Sequence, residues 1–262
     1  MGFVHLPLVL TLFTAVTPAA SPLPWSDARF QELLVDGTIT TMEEACLDPK
    51  AAGTKLRKQQ LRDRLLAIHP VPASFDLTMR HAGALLTCGS PEGTALVLNR
   101  FSPARGDERR RWLMLRWQAA AAALAHRPAA RALRRRGDGN VATLDEITLA
   151  GPRNGLDTLA EHEASQGRPQ AAAWVLLQGD FQGAAGARRR GQAAEWLAAT
   201  DPEQADQLLE IALDEAASNQ AWGLAMELLQ LQLRVQLAAG GDGERPRLRL
   251  ERLAARLDDA YT

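Results

Sequence analysis

The feature that most constrains the fold is a regular succession of helical segments and short breaks beyond Gly155. Helices are predicted over residues 156–165, 169–178, 187–199, 202–217 and from 221 onward. Breaks this short leave consecutive helices side by side, as in an α-hairpin array. Val, Ile and Phe are sparse beside Ala and Leu, which disfavours a sandwich or barrel of strands. The sequence therefore predicts an all-α fold, an irregular, α-solenoid-like array of helical hairpins.

The N-terminal half contains shorter helical segments separated by proline and glycine. Helices are predicted over residues 25–35, 55–68, 74–88, 107–126 and 128–136, with two more beginning near 41 and 91. Pro91 and Gly93 suit a hairpin turn, but Ser90 and Pro91 occupy the positions of a helix start, and the helix is favoured. Turn-forming residues at 137–140 and 151–155 mark a boundary. We therefore expect two contiguous lobes, over residues 22–136 and 155–262.

Two local patterns predict a helix start and the buried face of a helix. Thr41 and Glu44 have the spacing of a capping box, which predicts a helix start at Thr41. In the segment 107–126, one apolar face is predicted to consist of Leu113, Trp117, Ala120 and Leu124.

A helix start at residues 200–203 is followed by small and large apolar residues at fixed spacing. These are Ala205, Leu209, Ala212 and Leu213, and Ala193 and Trp196 occupy matching positions in the preceding helix. In these positions the segment 186–219 resembles a tetratricopeptide repeat. The resemblance covers one unit, and it implies a repeat-like stack of helix pairs.

The sequence of residues 229–250 is compatible with helices and with a β-hairpin. Leu and polar residues alternate strictly over 229–237 and again over 248–250, with four turn-forming residues at 240–243, which is typical of a β-hairpin. However, Leu, Gln and Arg are strong helix formers, and Leu224, Leu228, Leu231 and Val235 recur at helical spacing. The helical interpretation is favoured.

The first twenty residues predict a signal peptide, residues 1–20. An apolar run over 6–16 precedes the small residues Ala19 and Ala20, which suit a cleavage site, although no Lys or Arg precedes the run. We therefore expect a periplasmic or secreted protein whose mature chain has no membrane span. The alternatives are an uncleaved N-terminal anchor and a cytoplasmic protein.

Export would bring Cys46 and Cys88 into an oxidising compartment, where they either pair with each other or remain buried thiols. A bridge between them would close a loop of some forty residues and contribute about 4 kcal/mol.

No catalytic, metal-binding or phosphate-binding motif is recognisable, and no cofactor is predicted. Glu161, His162 and Glu163 are consecutive, so on a helix they point about 100° apart and cannot converge on one ion. A solvated face is the favoured interpretation. A hydrolase on a helical scaffold stays the least favoured function, and it would need a deep pocket with convergent carboxylates or a histidine pair.

The charge distribution is strongly uneven. Residues 100–136 contain eleven Arg against Asp107 and Glu108, a net charge of +9, whereas residues 137–262 carry a net charge of −9. Two Arg triplets on consecutive helices are candidates for binding an anion, namely Arg109, Arg110, Arg111, Arg134, Arg135 and Arg136. Alternatively the two lobes neutralise each other, and Trp112 and Trp117 belong to the core.

The favoured function is an exported binding or scaffolding protein that contacts other proteins through its helical surface. The alternative is an anion-binding module that uses the Arg-rich centre to hold a glycan, a lipid head group or nucleic acid. Export would remove nucleic acid as a routine partner.

Overall fold

The computed structural model describes residues 25–68, 74–149, 153–180 and 182–261. The predicted signal peptide, residues 1–20, lies outside the described residues, as do His5 and His69. The described residues form the helices α1 (Asp27–Asp36), α2 (Ile39–Leu47), α3 (Lys55–Ala67), α4 (Phe75–Thr87), α5 (Pro91–Leu98), α6 (Asp107–Ala122), α7 (His126–Arg136), α8 (Gly155–Ala164), α9 (Pro169–Leu176), α10 (Gly183–Leu197), α11 (Pro202–Ser218), α12 (Trp222–Ala238) and α13 (Glu244–Tyr261). A short 3₁₀ helix, Val141–Leu144, precedes α8.

The all-α prediction is confirmed for this part of the chain. Within the described residues there is no strand, and the extended pairing consists of a single bridge between Thr148 and Asn154. Successive helices pack against each other, most extensively α6 with α7, α8 with α9 and α10 with α11. The molecule is therefore an array of helical hairpins.

Local capping chemistry explains where several helices begin. The Ser74 hydroxyl accepts a hydrogen bond from the amide of Leu77, and the Asp201 carboxylate accepts one from Gln204. Pro91 occupies the first position of α5, so the helix prediction there is confirmed over the hairpin turn.

The predicted start of α2 is wrong by three residues. Thr38 is the N-cap, and its hydroxyl accepts the amide of Thr41 while the Thr41 hydroxyl accepts the amide of Thr38. Thr41 thus takes the third-residue role that the capping-box pattern gives to Glu or Gln, so Glu44 is not needed.

The predicted apolar face of α6 is also wrong at its C-terminal end. The helix ends at Ala122, and His126 begins α7. Leu124 adopts a positive φ of 53° in the turn and is 76% exposed, because the chain reverses there. The buried residues of α6 are instead Trp112, Leu113, Leu115 and Ala119.

Residues 229–238 and 244–250 are helical, which confirms the favoured interpretation over the hairpin. They lie in α12 and α13, separated by a turn at 239–243. Leu224, Leu228 and Val235 are buried, and so is the polar Gln232. The alternating pattern arises because the helix buries some of its Leu residues and leaves others, such as Leu237, exposed.

Two hydrophobic clusters form the core. The first extends from Phe30 to Leu115 and draws on α1 to α6. The second extends from Ala130 to Val235, so the buried residues of α7 pack with the C-terminal helices. Ala205, Leu209, Ala212 and Leu213 belong to the second cluster, and so does Ala193, with Trp196 packed against it. The hairpin of α6 and α7 therefore joins the two clusters.

Candidate anion-binding site

A groove between α5, α6 and α7 brings several side chains of like charge together. This α5–α7 groove encloses a cavity of about 270 Å³. Its charged lining consists of Glu92, Arg116, Arg131 and Arg135, and its apolar lining consists of Pro91, Ala95, Leu113, Ala119, Ala120, Ala123, Ala125, Pro128 and Ala132.

Arg116 is held in position from α6. Its Nη1 donates a hydrogen bond to Oδ1 of Asn99, 2.7 Å away. Its guanidinium carbon lies 4.5 Å from the ring centroid of Trp112, one helical turn earlier, in a cation–π contact. Burial lowers the pKa of Arg116 below its ordinary value, and the charges of Arg135 and Arg131 lower it further. Arg116 is therefore both pre-positioned and surrounded by like charge.

Arg131 and Arg135 are one helical turn apart on α7, so they share a face. Both are exposed. Within the described part of the chain, neither forms an ion pair with a carboxylate. Glu92 on α5 is the acidic member of the lining. The groove therefore carries three positive charges against one negative charge.

Arg189 on α10 shows the opposite arrangement. Its Nε donates to Oδ1 of Asp157 at 2.8 Å, and its Nη1 donates to Oδ2 of Asp145 at 2.9 Å. Burial opposes the charge of Arg189, but the bonds to the two carboxylates outweigh burial and raise its pKa. Within the described residues, the half-buried Arg189 thus has two carboxylates as counter-charges, whereas the half-buried Arg116 forms no ion pair with a carboxylate.

The three predicted arginines of α6 do not line the groove. Arg110 forms an ion pair with Asp107, and Arg111 lies 3.8 Å from a carboxylate oxygen of Asp76. Arg109 is half-buried. Consecutive residues of a helix point about 100° apart, so the triplet cannot form one face.

The three predicted arginines of α7 are separated for the same reason. Arg134 pairs with Glu163 of α8, and Arg135 lines the α5–α7 groove. Arg136 is half-buried, and burial lowers its pKa, with a further contribution from the charge of Arg110. Of the six predicted arginines, the structure brings Arg135 alone into the groove.

Arg116 and Arg131 are functional candidates that the predicted set omits. The signal for them was a spacing of four residues, between Arg131 and Arg135 and between Trp112 and Arg116. Trp112 itself is buried and donates from Nε1 to the carbonyl oxygen of Leu98 at 3.0 Å, so it is a core residue.

The predicted solvated face of Glu161, His162 and Glu163 is wrong for the last two residues. The Glu163 side chain is only 1% exposed, and its Oε1 accepts hydrogen bonds from Nε and Nη2 of Arg134 at 2.9 and 2.8 Å. Its Oε2 lies 2.5 Å from Nη2 of Arg168 in an ion pair. The carboxylate is buried because α8 lies between α7 and α9. Arg134 of α7 and Arg168, which directly precedes α9, both contact it.

His162 is buried and belongs to a chain of hydrogen-bonded side chains. The indole Nε1 of Trp117 donates to Nε2 of His162 at 3.1 Å, so the His162 proton resides on Nδ1. That Nδ1 lies within hydrogen-bond distance of Nδ1 of His126, 3.1 Å away. Burial lowers the pKa of His162, the charge of His126 lowers it further, and Glu163 acts in the opposite direction. The described residues contain no group of three metal-ligating side chains.

Cys46 and Cys88 form a disulfide, with their Cα atoms 5.1 Å apart. The bond joins α2 to the C-terminal end of α4 inside the first hydrophobic cluster. Arg62 of α3 donates from Nε to the carbonyl oxygen of Cys88 at 2.7 Å, which ties a third helix to the same point.

No protein-family model, no curated protein and no solved structure matches the chain. Among the helices of the described residues, none is long and apolar enough to cross a membrane.

Proposed function

We propose that the chain is a ligand-binding protein built on a helical-hairpin array, and that the α5–α7 groove holds an anionic ligand. One observation carries the proposal. Arg116, Arg131 and Arg135 line a single cavity, and in the described chain no carboxylate pairs with Arg131 or Arg135.

The energetic reason is the excess of positive charge in the groove, which is three arginines against Glu92. Like charges held close together raise the free energy of the folded chain, and an anion in the groove would reverse that effect. Hydrogen bonds that involve a charged group contribute about 1.5–3 kcal/mol each. Because Arg116 is already held by Asn99 and Trp112, its side chain would lose little conformational entropy on binding.

Export to the periplasm or the cell exterior is part of the proposal. The signal-peptide pattern of residues 1–20 supports it, and the Cys46–Cys88 disulfide supports it independently, because such bonds persist mainly in oxidising compartments.

Two other predicted functions have less support. Protein scaffolding, together with the tetratricopeptide resemblance, stays a prediction drawn from helix spacing, and helical arrays serve many unrelated functions. For a hydrolase, the His126–His162 pair would be the starting point, but three of its four ring nitrogens are engaged by Trp117 and by each other.

The test is calorimetric titration of the full chain with pyrophosphate and hexanesulfonate at low ionic strength, with putrescine as a cationic comparison. We expect an anion to bind, salt to weaken the binding, and putrescine not to bind. Arg131→Gln and Arg135→Gln should each weaken the affinity about tenfold. Glu92→Gln should tighten it, because it removes the groove's negative charge.

The matched control is Arg127→Gln, which removes the same charge from an exposed residue of α7 outside the groove lining. It should bind the anion as the unaltered chain does. If neither anion binds, or if Arg127→Gln loses as much affinity as Arg131→Gln, the proposal is refuted.

A further inference from the structure

We infer that the ligand of the α5–α7 groove is a small single-chain amphiphile, with an anionic head and an unbranched aliphatic tail, taken up from solution. This inference rests on the proposed function. The observation behind it is that small apolar side chains line the groove next to the turn between α6 and α7, whereas Arg116 and Arg135 line it away from that turn and Arg131 lies between.

The polarity of the groove follows from the positions of its lining along the two helices. On α6, Arg116 is followed by Ala119, Ala120 and Ala123, which extend the apolar lining about 10 Å toward the turn into α7. On α7, the lining begins with Pro128 near the turn, reaches Arg131 after about 5 Å and ends at Arg135 after about 10 Å. Both helices therefore place apolar groups next to the turn and charge away from it.

The apolar lining at the charged end contributes little open surface. Leu113 and Ala132 also line the groove there, but they are 2% and 5% exposed. A tail is therefore directed toward Ala120 and Ala123, which are more accessible.

The size of the cavity favours a small ligand over a protein segment. Its volume of about 270 Å³ lies below the range of about 300–1,000 Å³ typical of sites for drug-sized ligands. A helix of about 10 Å diameter does not fit such a space. Three guanidinium groups against Glu92 select an anion as the head.

The experiment is a titration series with the straight-chain sulfonates from methane- to decanesulfonate, which stay ionised throughout. Each methylene that becomes buried should tighten binding about fourfold. The gain should stop between octane- and decanesulfonate, because the apolar lining extends only about 10 Å. The matching alkyltrimethylammonium cations should not bind.

Variants of α6 locate the tail. Ala120→Leu fills the apolar part of the groove and should weaken octanesulfonate binding at least about tenfold while leaving methanesulfonate binding unchanged. Ala122→Leu adds the same side chain at an exposed position outside the lining and should change neither affinity. Thermal unfolding followed by circular dichroism verifies that both variants are folded.

The outcomes separate this inference from the proposed function. Sulfonates that bind with an affinity independent of chain length, or that bind Ala120→Leu normally, overturn the amphiphile inference and leave the anion site intact. If no sulfonate and no pyrophosphate binds, both fall. Binding to intact phosphatidylglycerol vesicles without binding to dispersed sulfonates overturns uptake from solution in favour of a membrane surface.

Discussion

Replacing the buried carboxylate of Glu163 by an amide should destabilise the junction of α7, α8 and α9. In Glu163→Gln, one carboxylate oxygen becomes an amide donor, so either Arg134 loses the acceptor of its hydrogen bonds or Arg168 loses its ion-pair partner. Losing a charge-assisted bond at a buried acceptor costs about 1.5–3 kcal/mol. The two guanidinium side chains are 44% and 52% exposed, so water can solvate them. We therefore expect a loss of about 2 kcal/mol in the free energy of unfolding.

The assay is equilibrium unfolding in urea, followed by far-UV circular dichroism. With a slope of about 2.5 kcal/mol per molar urea, a loss of about 2 kcal/mol lowers the midpoint by about 0.8 M. Glu161→Gln is the matched control two residues away. Its partner Arg153 is 61% exposed and Glu161 itself 44% exposed, so that change should cost less than about 0.5 kcal/mol. Equal losses for the two variants would refute the assignment of Glu163 as the buried anchor.

Three further predictions concern stability. Cys46→Ala combined with Cys88→Ala should lower the free energy of unfolding by about 4 kcal/mol, because it opens a loop that spans 42 residues; a chain equally stable with and without reductant would contradict this. Leu209→Ala should cost about 2–5 kcal/mol, since Leu209 is fully buried in the second cluster, whereas Ile211→Ala, half-exposed on the same helix, should cost much less in the same urea assay. His162 has a folded-state pKa below its ordinary 6.5, so the unfolded chain binds its proton more readily. The contribution of neutral His162 to stability is therefore complete above about pH 6.5 and is lost as the pH falls through the folded-state pKa. The free energy of unfolding of His162→Gln should therefore fall less steeply with acid than that of the unaltered chain. Parallel curves of the free energy of unfolding against pH would contradict this.

Much of the helical architecture is predictable because its signals are local. Ser74 and Asp201 accept hydrogen bonds from amides within one turn of themselves, and Pro91 has a φ fixed near the helical value at the first position of α5. Their sequence neighbours therefore suffice to predict a helix start. The error at α2 arises from the same chemistry, since Thr38 and Thr41 cap the helix as a pair and a Thr at the third position is an uncommon substitute for Glu.

The candidate site was only partly predictable, because side-chain burial depends on distant partners. Glu163 looks like a surface residue until Arg134, 29 positions earlier, is placed beside it. His162 likewise depends on Trp117, 45 positions away. Runs of consecutive Arg residues do not predict the groove lining, because the side chains of consecutive residues on a helix point in different directions. Side chains four residues apart lie on the same face, as those of Arg131 and Arg135 do.

The α5–α7 groove is proposed to bind an anionic amphiphile with its head among the arginines. The most direct test is a crystal structure of the full chain with a hexanesulfonate that carries bromine at the end of its tail, located by anomalous scattering. We expect the sulfonate within hydrogen-bond distance of Arg131 and Arg135 and the bromine beside Ala120 or Ala123. Bromine found elsewhere on the molecule, with the groove empty, would contradict it.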